Sequence, residues 1–360
     1  MEKFVITNSM RNQTACINKL QNLYLYNLKP RWYGASRSLV IGSGVHDGVE
    51  VMYRTPYDAL ANNDLPLTEA LKAGLGYFDG SLVRYITYND LHKRQKPEDL
   101  AYDMAYDRML VEVMLHVYYR EIYLKEKFKI RELDGELGLE KSMIAATITP
   151  GGRASPKYYY AGKNDQLFYL PADGQDYLSE LKTKSKMFWS DTHKLGMKYD
   201  EQITGYLWLF RQNYPKMKIN NVIYTVILKP IAPRYVKRKA ETPADLAQRI
   251  IDTRYEKLEE TRAKVMGDMP KYIDRIIVHR ADSQIDSFGK RAYREGVKIE
   301  KMLGDEGYIN PGYGGENCVK FNKPCEFFDL CAEHSRPKDL SVDYVIKSSS
   351  HEELGMEVVQ

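Results

Sequence analysis

The stretch AGKNDQLFYLPADGQDYLSELKTKS, residues 161–185, decides the fold because it contains two runs of β-forming residues separated by a turn. Gly and Asp residues break the runs, which predicts strands over Tyr158–Leu170 and Gln175–Thr183. The same composition predicts strand structure over Phe128–Ile148. Asn221–Leu228, with the sequence NVIYTVIL, is a nearly continuous apolar run of the kind that is buried on both faces of a sheet. We therefore predict neighbouring strands of one sheet.

Helical stretches surround these strands, so the predicted fold class is α/β. Pro97–Lys127 is the longest and should pack along the sheet through one apolar stripe. Before it, GSGVHDGVEVMYR predicts a glycine-loosened loop that runs into a helix, with His46 close to the helix start. Residues 55–96 predict short helices and turns. The other predicted helices are Ser9–Leu28, which Pro30 ends, and Asp200–Gln212, Thr242–Val265 and Asp286–Met302.

The chain shows no internal repeat and no low-complexity linker. We therefore expect a single domain over residues 1–335, with a core at about residues 128–230. The last residues, 336–360, predict a polar tail that frays.

The composition is that of an ordinary globular protein, with 43% hydrophobic and 28% charged residues. Lys and Arg exceed Asp and Glu by four (53 minus 49), so a nucleic-acid surface would have to be local. PRYVKRK, at Pro233–Lys239, is one basic segment that could follow a phosphate backbone, although an ordinary solvated loop explains it as well. The start of the chain lacks a signal peptide, and no segment has the ~20 apolar residues that cross a bilayer. We expect a cytoplasmic protein without membrane contact.

Glu180 and Lys182 are two residues apart on a predicted strand, so both side chains should point into one site. If Asp165 lies at the end of the preceding strand, its carboxylate and that of Glu180 converge on a divalent cation. Mg²⁺ and Mn²⁺ prefer such oxygen ligands, and the backbone carbonyl of Leu181 could add another. Lys182 would orient the attacking water, or assist its deprotonation if the site lowers its pKa. An exposed Glu–Lys ion pair is the alternative explanation of this pattern.

GKNDQLF followed by YLSELKTKS resembles the metal motif of the PD-(D/E)XK nuclease superfamily. YDEQITGYLWLF resembles the Gln-X-X-X-Tyr motif of its RecB-like branch, matched here by Gln202 and Tyr206. The resemblance implies a restriction-endonuclease-like core, which is a central mixed β-sheet flanked by helices, with helical embellishments. It also implies that Gln202 and Tyr206, which share a helix face, lean toward the metal or the DNA strand.

The same branch has an upstream Gly-X-X-X-His element, which GSGVH at residues 42–46 fits. The resemblance therefore implies that His46 is a metal ligand together with Asp165 and Glu180. It also implies an acidic residue on the strand before Asp165, for which we choose Glu140, with Glu136 as the alternative. Asn164 stands where the family usually has proline, and we expect little loss of activity from this difference because proline does not bind metal.

The chain has four cysteines, Cys16, Cys318, Cys325 and Cys331, the last three with the spacing C-x6-C-x5-C. In a reducing cytosol such residues are better candidates for metal ligands or core thiols than for disulfides. Their layout resembles that of iron–sulfur nucleases of the RecB-like branch, including CRISPR-associated and AddB-type enzymes. The resemblance implies a 4Fe-4S cluster that joins residues 9–30 to residues 310–335. A structural Zn²⁺ accepts four thiolates equally well and is the alternative.

The resemblance implies a metal-dependent exonuclease acting on DNA that is single-stranded or has free ends, in recombination, repair or end processing, as in phages. A structure-specific or nicking endonuclease and a non-catalytic iron–sulfur DNA-binding protein are the alternatives. No G-x-x-x-x-G-K-S/T motif occurs, so a helicase or recombination partner would be a separate chain. The expected setting is the cytoplasm of a bacterial or phage-infected cell.

Overall fold

The computed structural model describes residues 3–30, 37–55, 64–88, 96–126, 128–233, 235–304, 318–320, 323–327, 330–331, 344–347, 351 and 354. The strands in this part of the chain are β1 (Phe4–Ile6), β2 (Leu28–Pro30), β3 (Lys129–Ile130), β4 (Glu132–Leu133), β5 (Glu136–Leu137), β6 (Leu139–Ile148), β7 (Ala154–Leu170), β8 (Gln175–Ser185), β9 (Asn221–Lys229), β10 (Ile273–His279), β11 (Val319–Lys320), β12 (Lys323–Pro324) and β13 (Tyr344–Ile346).

A mixed sheet of seven described strands lies at the centre of the fold. Its longest strand, β7, pairs with β6 and β3 along one side and with β8 and β1 along the other. The order then continues through β9, which is parallel to β8, to β10, which is antiparallel to β9. The sheet and the helices on it confirm the α/β prediction, and the predicted strands Gln175–Thr183 and Asn221–Leu228 differ from β8 and β9 only at their ends.

Helices cover both faces of the sheet. The described helices are α1 (Asn8–Arg11), α2 (Ile17–Tyr24), α3 (Arg37–Arg54), α4 (Leu65–Tyr88), α5 (Pro97–Tyr118, followed by a π-helical turn at Tyr119–Tyr123), α6 (Leu124–Glu126), α7 (Asp191–Lys198), α8 (Glu201–Asn213), α9 (Pro243–Gly267) and α10 (Asp282–Gly304), with short 3₁₀ turns at Lys186–Phe188 and Met269–Tyr272. No helix in the described part of the chain is both long enough and apolar enough to cross a membrane.

Two hydrophobic cores form because successive residues of β8 and β9 face opposite sides. Leu178 and Val226 pack with Trp208 of α8 on one face. Leu181 and Ile227 pack on the other, in a core to which α3, α4, α5 and α9 contribute. The sheet is therefore the middle layer between two helical layers.

The prediction of a glycine-loosened loop before His46 is wrong. The whole stretch is helical, and His46 lies in the middle of α3. The glycines allow close helix packing: a Cβ on Gly44 would lie 2.9 Å from the carbonyl oxygen of Gly74 in α4, and a Cβ on Gly48 would lie 2.6 Å from Leu115 Cδ2 in α5. The prediction of short helices and turns over residues 55–96 is also wrong, since α4 alone has 24 residues.

The N-terminal region differs from the single helix predicted over Ser9–Leu28. α1 and α2 are two short helices, and Cys16 is the extended residue that caps the start of α2. β2 then pairs antiparallel with β13, whose three residues lie inside the predicted polar tail. Leu354, also in this tail, is 3% exposed and packs with Val5 and Ala161. Tyr344, His351 and Leu354 of the tail are therefore buried against the rest of the fold, whereas Ile346 is exposed.

Candidate metal centre

The site lies where the neighbouring strands β7 and β8 diverge. In the described part of the chain, the β7–β8 ladder ends at the pair Gln166 and Ser179, and β1 pairs with β7 further along, at Tyr158–Tyr160. Between these two partners, no described strand pairs with this side of β7. Asp165 and Glu180 are the first residues beyond the last ladder pair, so their side chains stand at the mouth of the opening.

Glu140 brings a third carboxylate to the same level. The pairs on either side of it in the β6–β7 ladder place Glu140 opposite Asp165. His46, Glu140 and Asp165 each offer a ligand atom within 4.8 Å of the others, and His46 Nδ1 lies 3.8 Å from Asp165 Oδ2. Glu140 has a φ of 50°, a left-handed conformation that costs a non-glycine residue about 1 kcal/mol. The sheet thus positions three acids across β6, β7 and β8, and α3 adds an imidazole.

Glu180 and Lys182 point together, as their spacing on a strand predicts. Lys182 Nζ contacts Glu180 Oε1 directly. Glu180 is 3% exposed, and its second oxygen, Oε2, is buried without a hydrogen-bond partner among the described residues. A buried carboxylate oxygen without a partner is costly unless it binds a cation. Glu180 is not among the three residues whose ligand atoms lie within 4.8 Å of one another, so its unpartnered oxygen makes it a candidate for a further ligand beside them.

Gln202 and Tyr206 reach the site from α8. Gln202 Nε2 lies 3.4 Å from Glu180 Oε1 and 2.5 Å from the Tyr206 hydroxyl. Gly162 on β7 makes room for the phenol, since a Cβ there would lie 2.9 Å from Tyr206 Cε1. The structure therefore brings the predicted Gln and Tyr to the predicted acid, and it adds Gly162, which the sequence motifs do not single out.

Burial and neighbouring negative charge raise the pKa values of Asp165 and Glu180. Burial raises the pKa of Asp165 to about 7, and burial together with the charge of Asp165 raises the pKa of Glu180 to about 7. Burial lowers the pKa of the His46 imidazole. Around neutral pH the site thus offers a neutral imidazole and carboxyls that a cation would readily deprotonate.

Lys182 lacks the lowered pKa that a lysine would need to act as a base. Burial alone lowers its pKa, but the charges of Glu180 and Asp165 outweigh burial and raise the pKa above the ordinary lysine value. Lys182 is therefore an ammonium ion that can orient a water molecule or stabilise negative charge, and it cannot accept a proton at neutral pH.

Neighbouring residues decide between the sequence alternatives. Glu136 has a side chain that is 73% exposed and pairs with Lys141, so it lies outside the centre that Glu140 joins. Lys163 Nζ lies 2.6 Å from Glu140 Oε2. Asn164, which stands in the family's proline position, is buried and donates to the carbonyl of Gln166. Lys163 is a second cation of the site that the motif comparison does not single out.

The cysteines lie together in one region, the cysteine lobe, where residues from both ends of the chain pack around Leu28, Phe327 and Tyr344. The Cys325 amide donates to the Cys318 carbonyl over 2.7 Å, and Asn18 Nδ2, two residues after Cys16, lies 3.7 Å from Cys331 Sγ. Burial, with smaller contributions from the negative charges of Glu326 and Cys16, raises the pKa of the Cys325 thiol to about 11. These half-buried thiols from both ends of the chain lie close enough to influence one another, and a bound cation would stabilise them as thiolates.

Comparisons with known proteins do not assign the chain. No protein-family model matches it. A search of curated proteins gives no match either.

Proposed function

We propose that this chain is a Mg²⁺- or Mn²⁺-dependent deoxyribonuclease that acts from DNA ends, with a restriction-endonuclease-like core. The observation that carries the proposal is the alignment of Glu140, Asp165 and Glu180 on three neighbouring strands, beside His46 and Lys182. The restriction to DNA ends rests on the resemblance to RecB-like nucleases.

His46, Glu140, Asp165 and Glu180 would hold the divalent ion. When bound, such an ion activates water and neutralises charge on the phosphate that is attacked. The unpartnered Glu180 Oε2 and the low basicity of the buried imidazole both suit this donor set. The Leu181 carbonyl would be a further ligand, from the residue whose amide donates to Asp165 Oδ2 over 2.7 Å.

Lys182 and the α8 residues would act on the substrate. Lys182, kept as an ammonium by Glu180, would orient the attacking water and stabilise the negative charge that develops on the phosphate. Tyr206 has a pKa raised well above its usual value by burial and by Glu180, so its hydroxyl stays a neutral hydrogen-bond donor. Gln202, hydrogen-bonded to it, would fix its direction toward a DNA phosphate.

Hydrolysis of end-labelled linear DNA tests this assignment. Lys182→Ala should abolish cleavage of single- and double-stranded substrates with Mn²⁺ while the thermal unfolding midpoint stays near that of the parent. Lys141→Ala is the matched control, because Lys141 is a neighbouring strand lysine that pairs with exposed Glu136. Equal cleavage by Lys182→Ala and the parent would refute the site.

Covalently closed circular DNA separates the other functions. The proposed exonuclease leaves the circle intact, whereas an endonuclease cuts it. If the parent binds DNA but hydrolyses neither linear nor circular substrate with any divalent metal, the chain is a non-catalytic DNA-binding protein.

We propose further that Cys16, Cys318, Cys325 and Cys331 hold a 4Fe-4S cluster that joins the two ends of the chain. The positions of Asn18 against Cys331 and of Lys19 against Glu326, 2.8 Å apart, support a lobe built from both ends. Purified protein should be brown and contain iron and sulfide. A colourless protein that contains zinc would overturn the cluster in favour of the structural-zinc alternative.

A further inference from the structure

Tyrosines gather around one buried arginine where α5 and α9 pack together. Arg254 of α9 is 6% exposed and forms an ion pair with Asp99 of α5 at 2.7 Å. Its guanidinium carbon lies 5.4 Å from the ring centre of Tyr102 and 5.7 Å from that of Tyr255. The two rings meet edge to face, with centres 5.6 Å apart and planes at 88°. The arginine thus fixes the orientation of both rings.

This cluster has an exposed surface. Tyr255 is 49% exposed, and Ile251, one helical turn earlier, is 42% exposed. Val236, in the segment that follows β9, is 78% exposed, and its carbonyl accepts a hydrogen bond of 3.0 Å from Arg249 of α9. A rigid aromatic side chain therefore lies in solvent beside the aliphatic side chain of Ile251, which suits stacking on a flat ligand.

Positive charge borders the same surface. Lys237, Arg238 and Lys239 follow Val236 directly and are exposed. The nearest acid in this segment, Glu241, is engaged by Arg249 at 2.7 Å. Arg249 therefore offsets the charge of the carboxylate in the segment that carries Lys237, Arg238 and Lys239, and this segment is tied to α9 through the bond from Arg249 to the Val236 carbonyl.

We propose that Tyr102, Tyr255 and residues 236–239, together named the tyrosine platform, bind single-stranded DNA away from the metal centre. Aromatic faces stack on unpaired bases without regard to sequence, and the adjacent cations contact the phosphates. A duplex keeps its base faces stacked inside, so the platform favours single strands. The assignment of DNA rests on the proposed function, whereas binding at the platform does not require hydrolysis.

The platform segment follows a strand that leads away from the metal centre. β8 and β9 run in parallel away from the metal centre, from the pair Glu180 and Tyr224 to the pair Ser185 and Lys229. Five residues of strand span roughly 17 Å. The platform segment follows Lys229 in the chain, after the end of β9 that points away from the metal centre. The platform would hold the single strand while its end is at the metal centre.

Fluorescence anisotropy of labelled dT20 with the full chain, without added divalent metal, tests the platform. Tyr255→Ala should weaken dT20 binding on the order of tenfold, the loss expected for one base–aromatic stack. Tyr255→Phe keeps the ring and should bind like the parent. The affinity for a blunt hairpin duplex should not change in Tyr255→Ala. Lys237→Glu should weaken dT20 binding and reduce its dependence on salt.

Two controls match these variants in exposure and charge. Tyr26→Ala removes a tyrosine that is 39% exposed in the cysteine lobe, and Lys72→Glu reverses an exposed lysine on α4. Both should bind dT20 like the parent. Unchanged dT20 affinity in Tyr255→Ala, or equal losses in Tyr26→Ala, overturns the platform. If the parent hydrolyses no DNA but its binding of dT20 still depends on Tyr255, the nuclease proposal is refuted and the tyrosine platform is supported.

Discussion

Glu180→Gln isolates the energetic cost of the buried carboxyl at the metal centre. Burial raises the pKa of Glu180 from 4.5 to about 7. Between these values the unfolded chain has lost the proton and the folded protein still holds it, so stability falls as the pH rises. Below pH 4.5 both states are protonated and the effect is absent. The difference of about 2.5 pH units corresponds to about 3 kcal/mol above pH 7.

Glutamine does not titrate, so the variant escapes this loss. As the pH rises from 4.5 to 8, the free energy of unfolding of Glu180→Gln should increase relative to that of the parent by about 3 kcal/mol. For 360 residues, an unfolding entropy of ~2.1 cal/mol/K per residue converts this into roughly 4 °C in the unfolding midpoint. Added Mn²⁺ at pH 8 should stabilise the parent more than the variant, since binding to the folded state adds stability.

Thermal unfolding followed by circular dichroism at pH 5 and pH 8, in buffers without divalent metal, measures this difference. Glu136→Gln is the control, because the Lys141 ammonium lowers the pKa of this exposed carboxyl and gives its titration the opposite sign. A stability difference between Glu180→Gln and the parent that is the same at both pH values would refute the reasoning. It would mean that the carboxyl ionises as easily in the folded protein as in the unfolded chain.

Two glycines give further predictions. Gly48→Ala should destabilise the protein by about 1–3 kcal/mol in chemical denaturation, because the new Cβ would lie 2.6 Å from Leu115 Cδ2 and 2.8 Å from the Ala70 carbonyl; a gain in stability would contradict the close packing of α3. Gly162→Ala should displace the Tyr206 ring and lower the rate of DNA hydrolysis on the order of tenfold to a hundredfold with the fold retained; an unchanged rate would show that the phenol position does not matter.

Local patterns predicted the elements that hold Glu180 and Lys182. The two-residue period of a strand is a property of the backbone itself, so β8 and the shared direction of these side chains follow from the sequence. The same holds for β9, whose continuous apolar run reflects burial on both faces. The spacing of Gln202 and Tyr206 on α8 also required only the period of a helix.

Long-range pairing could not be predicted in this way. The alignment of Glu140 with Asp165 depends on the register of β6 against β7, which residues far from the site fix. β10 was missed because its sequence, IDRIIVH, lies among charged helical segments and pairs only with a strand more than 40 residues earlier. The glycines of α3 misled the prediction for a different reason. A glycine needed for helix contact and one needed for a loop look alike in sequence.

The end of the β7–β8 ladder and the metal centre are the same structural feature. Beyond Ser179, the Leu181 amide donates to Asp165 Oδ2 over 2.7 Å, so an aspartate side chain takes the place of the next backbone acceptor on β7. Asp165 therefore has a structural task besides any metal binding. Asp165→Ala removes the partner of a buried amide and disturbs the parting of the strands, whereas Asp165→Asn keeps an acceptor and removes only the charge. Loss of hydrolysis in the asparagine variant, without loss of stability, is therefore the result that separates the chemical role of this carboxylate from its role in the sheet.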